Sequence, residues 1–352
     1  MRAVLILNPV SGASSLASNE GDGEQYEEHI VVALRKQGID VEVRQTTPED
    51  PGHGLARQAV EEGANSIIVA GGDGTIHAVA TGLIGTKGTL GIIPIGTMNN
   101  IARSLKIPED IDGACKIIAN GKTQPIDVGK INDQVFLEVA GVGLEAALFP
   151  AAEEIKSKGW PSTLRGIFDG LSQLFAFQPT RFRIAFDERR SRSYNALQVS
   201  ICNTPYYGAH LGFAPDAVMD DGLLDVLIYK NFSKMEYLRH AFSISQGRRE
   251  LVPKITRRKA KSIRIQTEVP VEMHADGVSQ GVTPATITVM SGVLRAFVSE
   301  EVANGHNVSS EKQKRTQRYR RSQSQDLFKD GELTKTEEYV EAKGPLYVRE
   351  KK

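Results

Sequence analysis

The sequence predicts an α/β chain, with an N-terminal parallel-sheet domain and a C-terminal β-sandwich domain, on three observations. In the first half, short apolar strands alternate with amphipathic helices, the pattern of a parallel sheet covered on both faces. From about Arg181 the texture changes to short β-rich runs whose spacing suits a sandwich. After Glu300 the chain turns polar and charged, without sustained periodicity. These shifts divide the 352 residues into domains at 1–130 and 131–299 and a disordered charged tail at 300–352.

The elements follow from periodicity and from their end signals. Strands are predicted at residues 3–7, 41–44, 66–70, 90–95 and 135–140, with helices near 26–37, 54–62, 76–84 and 111–119 between them. In the third helix Ile76, Val79, Ala80, Leu83 and Ile84 recur at helical spacing and make one apolar stripe to set on a sheet. In the fourth, Ile111, Ala114, Cys115 and Ile118 share a face, Asp110 stands where it caps the amino end, and Gly121 lies just past the carboxyl end. Residues 163–177 carry Leu164, Ile167, Phe168, Leu171, Leu174 and Phe175 at helical spacing beside Trp160, which predicts a helix packed on its own core. Strands of the second domain are expected at 182–186, 196–202, 223–229, 262–265, 285–290 and 293–298, interrupted by a helix at 233–245 with Ser233 as its cap.

Composition narrows the classes of partner. Lys+Arg and Asp+Glu both number 43, so the net formal charge is zero and no global field selects nucleic acid. Cys115 and Cys202 lie far apart without metal-ligand spacing, as buried thiols of a reducing compartment do. The apolar stretch at 3–7 is too short for a signal-peptide core, and no run approaches the roughly 18 apolar residues of a spanning helix. A cytoplasmic protein without a transmembrane segment is the expectation.

Chemistry concentrates in three turns. Gly71-Gly72-Asp73-Gly74-Thr75 directly follows the strand at 66–70 and opens the helix at Ile76. Strand, glycine turn and helix make a phosphate site: glycines let the backbone come close, N–H groups of the first turn point outward, and the helix dipole favours negative charge. Asp73 sets a carboxylate beside it. Asn8-Pro9-Val10-Ser11-Gly12 leaves the strand at 3–7, and Gly96-Thr97-Met98-Asn99-Asn100 leaves the strand at 90–95. Three loops thus converge on the carboxyl edge of one sheet, where open α/β sheets bind their ligands. Competing motifs fail on spacing. Gly121-Lys122-Thr123 would end a P-loop only with a glycine at 116, where Lys116 stands. Gly141-Val142-Gly143 follows a strand but is not followed by a second βα unit with an acidic strand end.

Taken in order, these three loops, Asp127 in Pro-Ile-Asp-Val-Gly, the segment 208–226 with its Asp220-Asp221-Gly222-Leu223-Leu224-Asp225 core, and Asp276-Gly277 resemble the diacylglycerol-kinase catalytic superfamily across residues 1–299. The implied fold is NAD-kinase/diacylglycerol-kinase-like, with an ATP cleft between the two domains. The resemblance assigns nucleotide contacts to Asn8, Pro9, Val10, Ser11, Gly12, Thr46, Gly72, Asp73, Gly74, Thr75 and Thr97. It assigns a magnesium (Mg2+) site to the Asp221 carboxylate with the backbone carbonyls of Val218 and Leu223, oxygen donors that suit a hard cation. The implied activity is phosphoryl transfer from ATP to a hydroxyl of diacylglycerol or a related lipid, a step of phospholipid biosynthesis at the inner membrane face; a homo-oligomer stays open.

The chain departs from the family pattern in three places. His77-Ala78 stands where the glycine loop usually continues Asn-Glu, Asn100 replaces an aspartate, and Val278 replaces the glutamate taken as the family's general base. Asp276, two residues earlier and on the same side of a strand or tight turn, is then the expected base, assisted by Asp73. His77 is expected at the surface or as a cap. The lost glutamate also opens an alternative, a catalytically impaired homologue that binds nucleotide and lipid as a sensor. A soluble-substrate kinase of the NAD-kinase type is a third reading, opposed by the match through the second domain. Two features would touch lipid if exposed: the apolar helix at 163–177 and a basic run of Lys312, Lys314, Arg315, Arg318, Arg320 and Arg321. Each such basic residue is worth about 1 kcal/mol near an anionic surface; a solvated tail is the plainer reading.

Overall fold

A computed structural model of the chain describes residues 2–11, 22–146, 172, 177–208, 212–245 and 254–303. Gly12, most of the helix expected at 163–177, the basic run and the tail beyond 303 lie outside the described residues.

The first half alternates strand and helix: β1 (Arg2–Leu7), α1 (Asp22–Lys36), β2 (Asp40–Gln45), α2 (His53–Glu61), β3 (Ser66–Gly71), α3 (Asp73–Leu83), β4 (Thr89–Pro94), α4 (Asn100–Ser104) and α5 (Ile111–Ala119). Its four strands are parallel in the order β4-β3-β1-β2. Every residue of β3 and β4 is buried, which explains why these segments read as unbroken apolar runs rather than as alternations. The α3 stripe is buried at Ile76, Val79, Ala80 and Leu83, each worth about 1–3 kcal/mol by size. At α5 the Asp110 carboxylate accepts from the Gly113 amide at 2.7 Å, and Gly121 takes the left-handed conformation at φ 66°.

The second half is β5 (Thr123–Ile131), β6 (Gln134–Phe136), β7 (Val139–Gly143), β8 (Thr180–Phe186), β9 (Arg192–Cys202), β10 (Leu224–Lys230), α6 (Lys234–Ser245), β11 (Ile255–Ala260), β12 (Ser262–Thr267), β13 (Glu272–Ala275), β14 (Val278–Val282) and β15 (Ala285–Phe297). A capping box opens α6: Glu236 N–H donates to Ser233 Oγ at 3.2 Å, and Ser233 N–H donates to Glu236 Oε2 at 3.0 Å. Both cysteines are buried, and burial pushes the Cys115 thiol up to about 12, as suits an inert structural thiol.

Three expectations about elements need correction. The strand expected at 135–140 is two strands. Its chain breaks after Phe136 because the Asp276 carboxylate accepts from the amides of Leu137, Glu138 and Val139, at 2.6, 2.9 and 2.9 Å. Its parts join no parallel sheet: β6 pairs antiparallel with β5, and β7 with β9 and β13. The runs expected at 285–290 and 293–298 are one strand, β15, bulged between Met290 and Leu294, where Gly292 has φ 62°. Residues 300–303, expected within the tail, form a helical turn whose Val302 and Ala303 pack on the first core.

Strand β15 is the seam of the molecule. It pairs with β12 and β5, then runs parallel to β4 at Arg295 and Ala296, so the described strands join one continuous sheet. Leu294, Ala296, Phe297 and Val298 thereby enter the first core together with Leu137 and Met219. The β-sandwich keeps a second core around Phe136, Phe182, Val199, Val226 and Ile263.

Candidate active site

The parallel strands end in turns on a single edge. Strand order changes direction between β1 and β3, and both flanking turns carry residues assigned to nucleotide. Asn8 ties them together: its amide N–H donates to Ala70 O at 3.0 Å, and its side-chain Nδ2 donates to Thr75 Oγ1 at 2.9 Å. Its Oδ1 accepts from the Val10 amide at 3.1 Å, and its carbonyl accepts from Ser11, so the loop folds on its own asparagine. Pro9 and Val10 are exposed at the rim. Thr46 follows β2 and donates its amide to Leu7 O at 2.9 Å, which holds it on the same edge.

Gly72 is the N-cap of α3, and Asp73, Gly74 and Thr75 form its first turn. The turn sits against the loop after β4, where a Cβ on Gly96 would stand 2.4 Å from Gly72 Cα, so only glycine permits the two backbones to meet there. Asn99 closes that loop: it adopts φ 52°, its Oδ1 accepts from Gly96 N–H at 3.0 Å, and its Nδ2 donates to Gly96 O at 2.8 Å. Thr97 is left exposed. Gly74 is different, because a Cβ there meets nothing within 4 Å.

Beneath these turns the two halves share polar side chains. The Asp73 carboxylate accepts from the amides of Ile101 and Asn100 at 3.1 and 3.2 Å. Burial pushes its carboxyl up, and the nearby Asp276 charge adds to the rise, against the pull of those amides. Asn100 donates from Nδ2 to Glu138 Oε2 at 3.0 Å and to Gly208 O at 3.1 Å. The adjoining Glu138 amide donates in turn to Asp276. His77, expected at the surface or as a cap, sits half-buried with Nε2 3.7 Å from Asp276 Oδ2 and 3.3 Å from Val135 O. Asp73 and Asp276, which lie far apart in sequence, thus belong to one cluster. Its members Glu138, Asn100 and His77 were not singled out from sequence as site residues, and only positions in the turns hinted at the last two.

The acidic turn before β10 is anchored by Asp127. That buried carboxylate accepts from the amides of Gly222 at 2.6 Å and Gly292 at 2.8 Å, pinning the turn to the β15 bulge. Gln124 donates to the Asp220 carboxylate. Asp221 Oδ1 accepts from the Leu223 amide at 3.0 Å, and Lys259 Nζ bridges Asp221 and Asp225 at 2.8 and 3.0 Å. Among the described residues no group of three or more His, Cys, Asp or Glu side chains could hold a metal ion. A site here would therefore use one carboxylate with backbone carbonyls. Carboxylate and carbonyl oxygens suit a hard cation; Asp221 already shares its oxygens with Lys259 and the Leu223 amide, so an ion would displace the lysine from Oδ2.

Comparison with known proteins agrees with this layout. Residues 2–131 match the diacylglycerol kinase catalytic domain, and residues 138–298 match the YegS C-terminal NAD kinase beta sandwich-like domain. A diacylglycerol kinase of Bacillus subtilis (strain 168) is 31% identical over 310 residues, covering 86% of this chain and 98% of its own. One from Staphylococcus aureus (strain bovine RF122 / ET3-1) is 28% identical over 314 residues, covering 88% and 96%. Among solved structures, a putative diacylglycerol kinase from Bacillus anthracis str. Sterne superposes with a TM-score of 0.68 at 29% identity, over 86% of this chain and 98% of that one.

Proposed function

Since the chain belongs to the diacylglycerol kinase catalytic superfamily, and so is a lipid kinase, we propose that it transfers the terminal phosphoryl group of ATP to a hydroxyl of diacylglycerol or a related lipid, with Mg2+. The observation that supports this most is the approach of the glycine turn to the Asp276 turn: a helix N-terminus opened by glycine and carrying Asp73 and His77 on one half, the Asp276 carboxylate on the other.

In this reading Asn8 to Gly12, Thr46, the first turn of α3 from Gly72 to Thr75, and Thr97 bind the nucleotide. Asp276 receives the proton of the acceptor hydroxyl. Its oxygens also accept from three backbone amides, which fix their position. A strong base is not essential, because phosphoryl transfer is largely dissociative and the acceptor loses its proton late. Asp276→Asn is expected to lower transfer by about 10²–10⁴-fold, while ATP affinity is kept. Val278→Glu is expected to raise it, since position 278 is 64% exposed and admits the longer side chain. Transfer of label from ATP across a panel of lipid alcohols tests the reading. One observation favours the sensor alternative: both Asp276 oxygens already accept from backbone amides, and no glutamate stands at 278. If wild type labels no lipid and Val278→Glu does, that alternative replaces the kinase.

Asp221, with the carbonyls of Val218 and Leu223, would hold the divalent ion. The ion supplies charge neutralisation near the phosphates. Asp221→Ala is expected to raise the Mg2+ concentration needed for half-maximal activity several-fold. A magnesium titration that overlays wild type removes the ion from this turn. No described helix is long and apolar enough to cross a membrane, so the lipid would be met at a membrane surface.

A further inference from the structure

A carboxylate offers about four acceptor sites, two on each oxygen. At Asp276 three of them are taken by backbone amides: Glu138 and Val139 donate to Oδ1, and Leu137 donates to Oδ2. The site left over is on Oδ2, and that is the oxygen the His77 ring approaches, with Nε2 3.7 Å away. The same ring nitrogen lies 3.3 Å from Val135 O. Nε2 thus faces two oxygens that only accept, a carbonyl and a carboxylate, and the neutral ring keeps its proton there. Nδ1 is left with its lone pair, and among the described residues nothing bonds to it. The ring is half-buried, so a substrate group can reach that nitrogen.

His77 stands one helical turn after Asp73 on α3, so the two share a face of that helix. The charged groups of the cluster are acids: Asp73 on the same helix, and Asp276 and Glu138 from the sandwich half. Val278, just past Asp276, has nothing that takes up a proton. We propose that His77 is a further catalytic residue of the lipid kinase, its Nδ1 taking the proton of the acceptor hydroxyl and Asp276 receiving the Nε2 proton in turn. As the acceptor's O–H bond breaks and Nδ1–H forms, the oxygen's electron pair bonds the terminal phosphorus of ATP, and ADP leaves with the pair of the broken P–O bond. The imidazolium meets the opposite charge of Asp276 and passes its Nε2 proton to the open site on Oδ2. Loss of the Nδ1 proton to water, with return of the other from Asp276 to Nε2, restores the ring. The proposal rests on the lipid-kinase reading and supplies the route by which the proton reaches Asp276.

The test uses the full chain, with label transferred from ATP to lipid between about pH 5 and 8, where imidazoles titrate. Transfer by wild type is expected to rise with pH over that range, as the ring gives up the proton that blocks Nδ1. His77→Gln keeps an N–H for Val135 O but no basic nitrogen. It should melt and bind ATP like wild type, transfer about 10²–10⁴-fold more slowly, and lose the rise. Added imidazole should restore part of the transfer by His77→Ala, where the ring's space is open, and none by His77→Gln. Joined to Asp276→Asn, His77→Gln should cost little beyond the worse single variant, because two residues on one proton path act as a unit. Transfer by His77→Gln at the wild-type rate overturns the proposal. So does a slowed variant that keeps the pH rise while imidazole fails to rescue His77→Ala, since the ring would then only tie α3 to β6. Nitrogen NMR of the ring, assigned by its loss in His77→Gln, needs no catalysis: the Nε2–H tautomer is expected, and Nδ1–H overturns the proposal. A wild type that labels no lipid refutes the kinase reading by itself. The pair is then judged on phosphoryl transfer to water, where the same pH rise and imidazole rescue uphold it and their absence overturns it.

Discussion

Gly74→Val should melt like wild type and bind ATP roughly 10²–10⁴-fold more weakly, the cost of losing one or two charge-assisted bonds from backbone N–H to phosphate. The structure separates the two effects. A Cβ at position 74 meets no atom within 4 Å, so the side chain has room in the free protein. It sits in the first turn of α3, where the helix presents its N–H groups, and under the proposed nucleotide assignment the added side chain would crowd the phosphate. Gly96→Ala makes the contrast. Its Cβ would strike the Gly72 backbone at 2.4 Å, so that variant should lose about 1–3 kcal/mol of stability before any question of ligand arises. Calorimetric ATP binding on Gly74→Val, beside its melting curve, decides the matter: a folded variant with wild-type affinity would falsify the phosphate assignment of this turn.

Asp73→Asn should inactivate the protein and stabilise it. Asp73 is the carboxylate whose carboxyl is pushed up chiefly by burial, with the Asp276 charge adding to the effect. A raised folded-state pKa means that the native state holds the proton more tightly than the unfolded chain does. Its contribution to stability is then full below the unfolded pKa and is lost as pH rises through the folded value. Asparagine removes that loss and keeps an oxygen for one of the two amides, since Ile101 donates to Oδ1 and Asn100 to Oδ2. The stability gap between variant and wild type should accordingly be widest at neutral pH and close as pH falls into the ordinary carboxylate range. Activity should drop by about 10²–10³-fold, the scale of removing one preorganised electrostatic group. Denaturant unfolding at several pH values, run beside a transfer assay, checks both halves. A variant less stable than wild type at neutral pH would mean that the one amide bond lost outweighs the buried charge.

The site was legible in proportion to how local its causes are. The glycine turn and the loop after β4 could be found because each is a short strand-to-helix connection, and Asn8 because its turn directly leaves a strand, so that their residues answer to backbone geometry within a few positions. The Asp110 and Ser233 caps were legible for the same reason. Asp276 could be named but its surroundings could not. Its partners are the amides of residues 137 to 139 and the imidazole of His77, brought together by pairing of β13 with β7. The break between β6 and β7 shows the limit well. Residues 135–140 have the composition of one strand, and it is a side chain from far along the sequence that takes their amides and ends the ladder.

By itself the sequence determined the class of each half, the alternation that makes β3 and β4 central strands, and the edge on which the glycine turn and its neighbouring turns collect, because apolar periodicity and glycine placement act over a single element. The tertiary structure alone decided that β15 returns to β4 and joins the halves in one sheet, that Asp127 pins the acidic turn, and that Asp73, Glu138 and Asp276 share one cluster. Those contacts join residues dozens to more than two hundred positions apart. No local pattern encodes them, since they depend on which strand edges meet once both cores have closed.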